Sequence, residues 1–119
     1  MTTSPHIVNL STDEHQFIGL CFNELLNGAS SREMQNILGA QLGAATELAS
    51  RLNLPVQGPF PPLNKADWRL IYDTINATIY ALGEFELATL TGFSLPDAVN
   101  TNLKITARIW GTYGESHFK

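Results

Sequence analysis

The sequence predicts an all-α protein, a bundle of six helices, and three observations lead to this prediction. Apolar residues recur at steps of three and four along most of the chain, which is the spacing of the buried face of a helix. Capping residues precede these stretches, and glycine or proline follows them. The chain contains no clear strand pattern.

The first helix is predicted to begin after Ser11. The side chains of Ser11 and Glu14 have the spacing of a capping box, in which each side chain accepts a hydrogen bond from the other residue's backbone N–H. The helix is predicted to end at Asn27-Gly28. Its predicted buried face is Phe17, Ile18, Cys21, Phe22, Leu25 and Leu26.

Two shorter helices are predicted to follow in the same half of the chain. A second capping box, Ser30 with Glu33, opens the first of them, and Gly39 ends it. The next helix extends to about Leu52. Their predicted apolar faces are Met34, Ile37 and Leu38, then Leu42, Ala45, Leu48 and Leu52.

The long helix from Asn64 to Leu82 is the segment around which the chain is organised. Asn64 and Asp67 form its predicted cap, and Gly83 is predicted to end it. Its apolar residues form a stripe too wide for a helix lying on the surface, so the helix is predicted to pack between neighbours. These residues are Trp68, Leu70, Ile71, Tyr72, Ile75, Ile79, Tyr80 and Leu82.

Two more helices complete the prediction. A short one over residues 84–91 stops at Gly92, and the last begins at Ser94 with Pro96 in its first turn, where the missing N–H costs nothing. Gly111 is predicted to end it. Its predicted inner face is Ala98, Val99, Leu103, Ile109 and Trp110.

The two halves of the chain repeat one plan. A shift of 53 positions aligns, without a gap, the identical pairs Leu10/Leu63, Ile18/Ile71, Asn23/Asn76, Glu33/Glu86, Gly39/Gly92, Leu42/Leu95 and Ala45/Ala98. We therefore predict a single domain, 1–119, with an internal repeat of 10–53 and 63–111 joined by a Pro- and Gly-rich connector, 54–62. Packing the halves together buries apolar surface that one unit alone cannot bury. The alternative is two helical hairpins that share generic patterning.

Composition narrows the function classes. Charged residues make up 15% of the chain, against about 25% in an ordinary domain. This favours a buried partner interface such as a homodimer, and the alternative is a monomer with a Ser/Thr/Asn-rich surface. The net charge is −4 and Lys and Arg do not cluster, so nucleic-acid binding is disfavoured. Neither a secretory signal nor a membrane span is recognisable, which predicts a cytoplasmic protein.

Groups for catalysis or metal binding are sparse. His6, His15 and His117 lack the spacing of metal ligands, and the first-turn acids are explained by helix capping. Cys21 excludes an internal disulfide because it is the single cysteine, and its apolar neighbours predict an inert thiol. The sequence therefore predicts no enzyme, no metal and no cofactor.

The sharpest motif is a possible helix-turn-helix. Ala88, Gly92 and Ser94 have the spacing of a short helix, a glycine turn and a capped second helix. The residues that would reach DNA on that second helix are Asn100, Thr101, Lys104 and Arg108. Two cations are few for anchoring phosphates, so the structural reading, two helices packed as a hairpin, is preferred.

Aromatic residues outside the helical stripes are candidates for binding a partner protein: Phe60, Phe85, Phe93, Tyr113 and Phe118. The alternative is that residues such as Phe60 and Phe93 cover the ends of the core.

The opening segment, VNLSTDEHQFIGLCFNELLNG, resembles the start of small, uncharacterised bacterial all-helical proteins. The matching residues are Leu10, Ser11, Glu14, Asn23, Glu24, Leu25 and Gly28, while Phe22 replaces the usual Leu. The resemblance covers about the first fifty residues and implies a bacterial helical domain. It implies no catalytic or binding residue.

The sequence as a whole favours a non-catalytic protein–protein interaction module, such as an adaptor or an immunity-like binder. The alternative is a helix-turn-helix DNA-binding regulator. A third class, ligand binding between the halves, predicts an apolar cavity with a few polar groups beside Asn23 and Asn76.

Overall fold

The computed structural model describes residues 10–28, 30–52 and 63–113, and over these ranges the chain forms five α-helices. They are α1 (Thr12–Asn27), α2 (Ser31–Leu38), α3 (Leu42–Leu52), α4 (Lys65–Thr91) and α5 (Leu95–Tyr113), with a 3-10 turn, Gly39–Gln41, before α3. Within the described ranges there is no β-strand, so the all-α prediction is confirmed. The description leaves out the side chains of residues 84, 85, 90 and 110–113.

Helix α4 lies at the centre of the molecule, as its wide apolar stripe predicts. It packs against α1, α2, α3 and α5. Trp68, Ile71 and Ile75 on α4 are fully buried, and they meet apolar residues of the other helices in one core. The fully buried residues of those helices include Phe17, Ile18, Phe22, Leu25, Met34, Leu48, Ala98 and Ile109.

One of the two predicted capping boxes is present, and the predicted cap of α4 forms a further box. Glu14 N–H donates to Ser11 Oγ over 3.2 Å, and Ser11 N–H donates to Glu14 Oε1 over 3.1 Å. Asn64 and Asp67 make the same two bonds at the start of α4, at 2.8 and 3.2 Å. The box predicted at Ser30 is wrong, because Ser30 has φ −97° and ψ 14° and makes no side-chain cap. The extended backbone that aims a capping side chain at the helix N–H groups is missing there.

The six-helix count differs from the structure at Gly83. This residue has φ 70° and ψ −177°, so the backbone leaves helical geometry where a helix end was predicted. One non-helical residue bends the chain without making a loop, and α4 continues across the bend to Thr91. The predicted stop at Gly92 is confirmed by a left-handed φ of 78° and a hydrogen bond from its N–H to Ala88 O.

The last helix differs from its prediction in length and in orientation. It extends past Gly111 to Tyr113. Ala98, Ile105 and Ile109 face the core, but Val99 and Leu103, predicted on the inner face, are exposed. Since each residue turns an α-helix by about 100°, Val99 and Leu103 are rotated out of the stripe that Ala98 belongs to. Leu26, Ile37 and Tyr80 are likewise exposed, contrary to their predicted place on buried faces.

Candidate functional site: an exposed apolar surface with a groove

Two pairs of large apolar side chains are exposed, one pair on α2 and α4 and the other on α5. Tyr80 is 76% exposed, Leu103 61%, and Ile37 and Val99 43% each. Apolar side chains scattered singly on a surface are ordinary, but neighbouring ones mark candidate interaction sites. Ile37 and Tyr80 border a groove. Val99 and Leu103 lie one turn apart on α5 and form the α5 stripe.

The groove runs between α2 and α4 and has a volume of ≈ 290 Å³. Its lining residues are Ile37, Leu38, Gln41, Asp73, Asn76, Ala77 and Tyr80. Leu38 and Ala77 are buried, so the base of the groove is apolar. A groove near the lower end of the range for ligand sites can accept one or two apolar side chains of a partner.

The polar side chains at one side of the groove are bound to one another. Gln41 Nε2 donates to Asp73 Oδ2 over 2.8 Å, and Arg69 Nε lies 3.4 Å from Asp73 Oδ1. These contacts hold the Asp73 carboxylate against the wall of the groove, where the positive charge of Arg69 offsets its negative charge. The groove is therefore an apolar site with a polar edge, and no group in it is arranged as a nucleophile with a base.

Asn76 connects the groove to α5. Asn102 Nδ2 donates to Asn76 Oδ1 over 3.3 Å, and Asn76 Nδ2 donates to Tyr72 O over 3.1 Å. The Asn102 Oδ1 atom is buried and accepts no hydrogen bond from the described residues. Of the two asparagines predicted to lie beside a cavity, Asn76 lines the groove. Asn23 lies elsewhere, exposed, with a hydrogen bond from Asn27.

Of the five aromatic residues predicted to bind a partner, Phe93 can be placed. It is half-buried, and its ring centroid lies 4.9 Å from that of Phe17, so Phe93 covers the end of the core. Phe60 and Phe118 lie outside the described residues, and so do the side chains of Phe85 and Tyr113.

The four residues predicted to reach DNA all lie on α5, in different environments. Asn100 and Lys104 are exposed, and Thr101 is half-buried. Arg108 is held by Glu14: its Nε lies 2.7 Å from Oε1 and its Nη2 lies 3.1 Å from Oε2. This two-point ion pair ties one of the two candidate cations to α1.

A matching ion pair joins α3 to the start of α4. Arg51 Nη2 lies 2.7 Å from Asp67 Oδ1, and Asp67 is the capping acid of α4 just as Glu14 is the capping acid of α1. Burial alone would raise the pKa of Glu14. The hydrogen bonds from Arg108 and Ser11, with the charge of Arg108, outweigh burial and hold that pKa below its ordinary value of 4.5.

The Cys21 thiol is fully buried. Burial raises the pKa of the Cys21 thiol to about 12, so the thiol is protonated and unreactive in the folded chain. No group of three His, Cys, Asp or Glu side chains that could hold a metal ion occurs in the part of the chain that the structure describes.

The apolar surface was missed from the sequence because its residues were assigned to the core. One signal was available in α5. Ala98, Ile105 and Ile109 fit a single stripe at helical spacing, and Val99 and Leu103 fall beside it. A helix with more apolar residues than one stripe can hold exposes some of them or has a second neighbour.

No known protein family, curated protein or solved structure matches the chain. Among the helices of the described ranges, none combines the length and the apolar character needed to cross a bilayer.

Proposed function

We propose that the chain is a non-catalytic protein–protein interaction module, of the adaptor or immunity-like kind, acting through the groove bordered by Ile37 and Tyr80 and through the α5 stripe. The observation that supports this most directly is the exposure of Tyr80, at the border of the groove, on a helix whose Trp68, Ile71, Ile75 and Leu87 are fully buried. Tyrosine is enriched at interfaces because its ring gives a large contact area and its hydroxyl group remains hydrated.

The test is site-specific photo-crosslinking in cells of the source organism. Benzoylphenylalanine replaces the exposed Tyr80, keeping its first aromatic ring and adding a benzoyl group, and the same residue at Leu26, which is exposed on α1, is the matched control. We expect a discrete protein adduct from position 80 and none from position 26. Equal adducts from the two positions, or none from position 80, would contradict the proposal.

The alternative function, a DNA-binding regulator, depends on the exposed Asn100 and Lys104 on the helix after the Gly92 turn. The ion pair between Arg108 and Glu14 weakens this alternative, because releasing Arg108 for a phosphate leaves a buried carboxylate without its partner. Retention on DNA that falls steeply with salt and is reduced by Lys104→Ala would favour the regulator. No retention at low salt would remove it.

We further propose that the fold is a tandem repeat of two three-helix units. Helix starts support this proposal under the same shift of 53 residues: α1 and α4 begin at positions 12 and 65, and α3 and α5 begin at 42 and 95. Helix α2, 31–38, corresponds to the part of α4 beyond the bend, 84–91. On this reading the bend at Gly83 stands where the first unit has the turn between α1 and α2.

The two ion pairs support the repeat in a reciprocal way. Glu14 and Asp67 are equivalent under the shift, and each is bound by an arginine from the last helix of the other unit. The test is superposition of 12–52 on 65–105 in an experimentally determined structure. A common order and direction of the three segments is expected, and unrelated directions would contradict the repeat.

A further inference from the structure

We propose that the partner of the α5 stripe is a second copy of this chain, bound antiparallel, with α5 packed on α5 about a two-fold axis. This inference rests on the proposed function as an interaction module and names one partner of it. It follows from the order of apolar and charged residues on the exposed face of α5.

The apolar residues of this face are self-complementary. Val99 and Leu103 are one turn apart, and the midpoint between them is residue 101. In a two-fold pair, residue i of one copy meets residue j of the other, and j meets i. An antiparallel pair centred at residue 101 therefore packs Val99 of each copy against Leu103 of the other. The exposed Pro96 and Ala107 have nearly the same midpoint, and their small size allows close approach of the two helices.

The charges beside the stripe are self-complementary about the same axis. Asp97 and Lys104 are seven residues apart, nearly two helical turns, so they share one edge of the exposed face of α5, about 100–160° around the helix from the stripe at its other edge. Their midpoint falls between residues 100 and 101. The antiparallel pair thus places Asp97 of each copy opposite Lys104 of the other, and a parallel two-fold pair would place this charged edge opposite the apolar stripe of the other copy.

Both charged groups are available for this contact. Asp97 and Lys104 are exposed, and neither makes an ion pair with another described residue. The shift of 53 residues makes Lys104 the counterpart of Arg51, which binds Asp67 in the first half. In the second half it is Arg108, one turn after Lys104, that binds a capping acid, namely Glu14 of α1. Lys104 is therefore left on the surface.

Analytical ultracentrifugation of the full chain over a range of concentrations tests the proposal. We expect a dimer for the wild type and a monomer for Leu103→Glu, which buries a charge at the centre of the interface. Leu26→Glu, at an exposed apolar site on α1, is the matched control and should leave the dimer intact. Circular dichroism establishes that each variant is folded.

Charge exchange gives a sharper test that does not depend on the apolar residues. Asp97→Lys and Lys104→Asp should each weaken self-association about tenfold at low salt, because each places like charges opposite each other in both pairs. An equimolar mixture of the two variants should associate again as a heterodimer, since every contact between unlike copies then joins a lysine to an aspartate.

A wild type that is monomeric at every concentration would overturn the proposal, and so would a dimer that persists in Leu103→Glu. Failure of the mixture to associate would overturn the antiparallel register. These outcomes do not test the proposed function itself, which is tested by the crosslink at Tyr80. A monomer that still crosslinks to another protein at Tyr80 retains the proposed function.

Discussion

Arg108 binds Glu14 across 94 residues of chain, with Nε 2.7 Å from Oε1 and Nη2 3.1 Å from Oε2. The same carboxylate closes the capping box of α1, so one acid serves both the first turn of α1 and the contact with α5. Asp67 serves the same two roles for α4 and α3, with Arg51 as its partner. Each long helix is thus fastened at its N-terminus by a helix from the opposite half of the chain.

Replacing Arg108 by leucine should destabilise the fold by about 1–3 kcal/mol, because it leaves the buried Glu14 carboxylate without its charged donor. Arg51→Leu should act in the same direction. Arg69→Leu is the control: its pair with Asp73 joins residues four apart on the surface of α4, and such pairs contribute about 0.3–0.5 kcal/mol. Urea unfolding followed by circular dichroism measures all three. An Arg108→Leu variant no less stable than Arg69→Leu would contradict this account of the pair.

Acid should destabilise the protein through Glu14. Its pKa in the folded chain lies below the ordinary value of 4.5, so the unfolded chain binds more protons in this range. The stabilising contribution is therefore complete above pH 4.5 and is lost as the pH falls through the folded-state pKa. Urea midpoints measured from pH 7 to pH 3 should decrease below pH 4.5, and they should decrease less in Glu14→Gln. Equal slopes in the two proteins would show that Glu14 does not carry this dependence.

His15 should add acid sensitivity at a higher pH. Burial lowers its pKa below 6.5, although the charge of Glu14 opposes this effect. A lowered pKa means that protonation favours the unfolded chain, so stability is lost as the pH falls below 6.5 toward the folded-state value. The slope of unfolding free energy against pH between 7 and 5 should be smaller in His15→Gln than in the wild type. NMR titration of the imidazole checks the direction of the pKa shift independently.

Alanine substitutions should distinguish the glycines by their backbone conformation. Gly83 has φ 70° and ψ −177°, a region that other residues rarely occupy, so Gly83→Ala should cost about 1–3 kcal/mol. Gly92→Ala should cost about 1 kcal/mol because Gly92 is left-handed. Gly43→Ala is the control in the first turn of α3, where φ is not positive, and it should stabilise the fold by about 0.4–1 kcal/mol. An added Cβ meets nothing within 4 Å at any of the three, so the differences report conformation alone.

The Cys21 thiol should not react in the native protein. It is fully buried, and burial raises its pKa to about 12, which leaves almost no thiolate at neutral pH. We expect reaction with Ellman's reagent at pH 8 to follow global unfolding and to become complete in urea. Rapid reaction of the folded chain would show that the contact between α1 and α4 opens locally.

Most of the fold could be predicted from the sequence because its signals are local. Ser11 with Glu14, Asn64 with Asp67, and Gly92 each fix a helix end through bonds or conformations that involve a few adjacent residues. The orientation of α5 could not be predicted, because the choice between the Ala98 stripe and the Val99–Leu103 stripe depends on the position of α4 and α1. The Arg108–Glu14 pair was missed for the same reason, since nothing in the local sequence assigns an arginine to an acid 94 residues away.

The candidate site was the harder part to predict. Exposed apolar residues and core residues look alike in a sequence, and packing decides between them. Tyr80 was placed in the buried stripe of α4 because it widens that stripe at helical spacing. The groove beside it forms only when α2, distant in sequence, lies along α4.

The crossed attachment of the two halves determines how the molecule comes apart. If α5 dissociates from the core, the capping acid of α1 loses Arg108. If α3 dissociates, the capping acid of α4 loses Arg51. Neither half can melt without loosening the first turn of the other, so amide hydrogens near residues 15 and 68 should exchange only with the whole molecule, although helix termini commonly fray first.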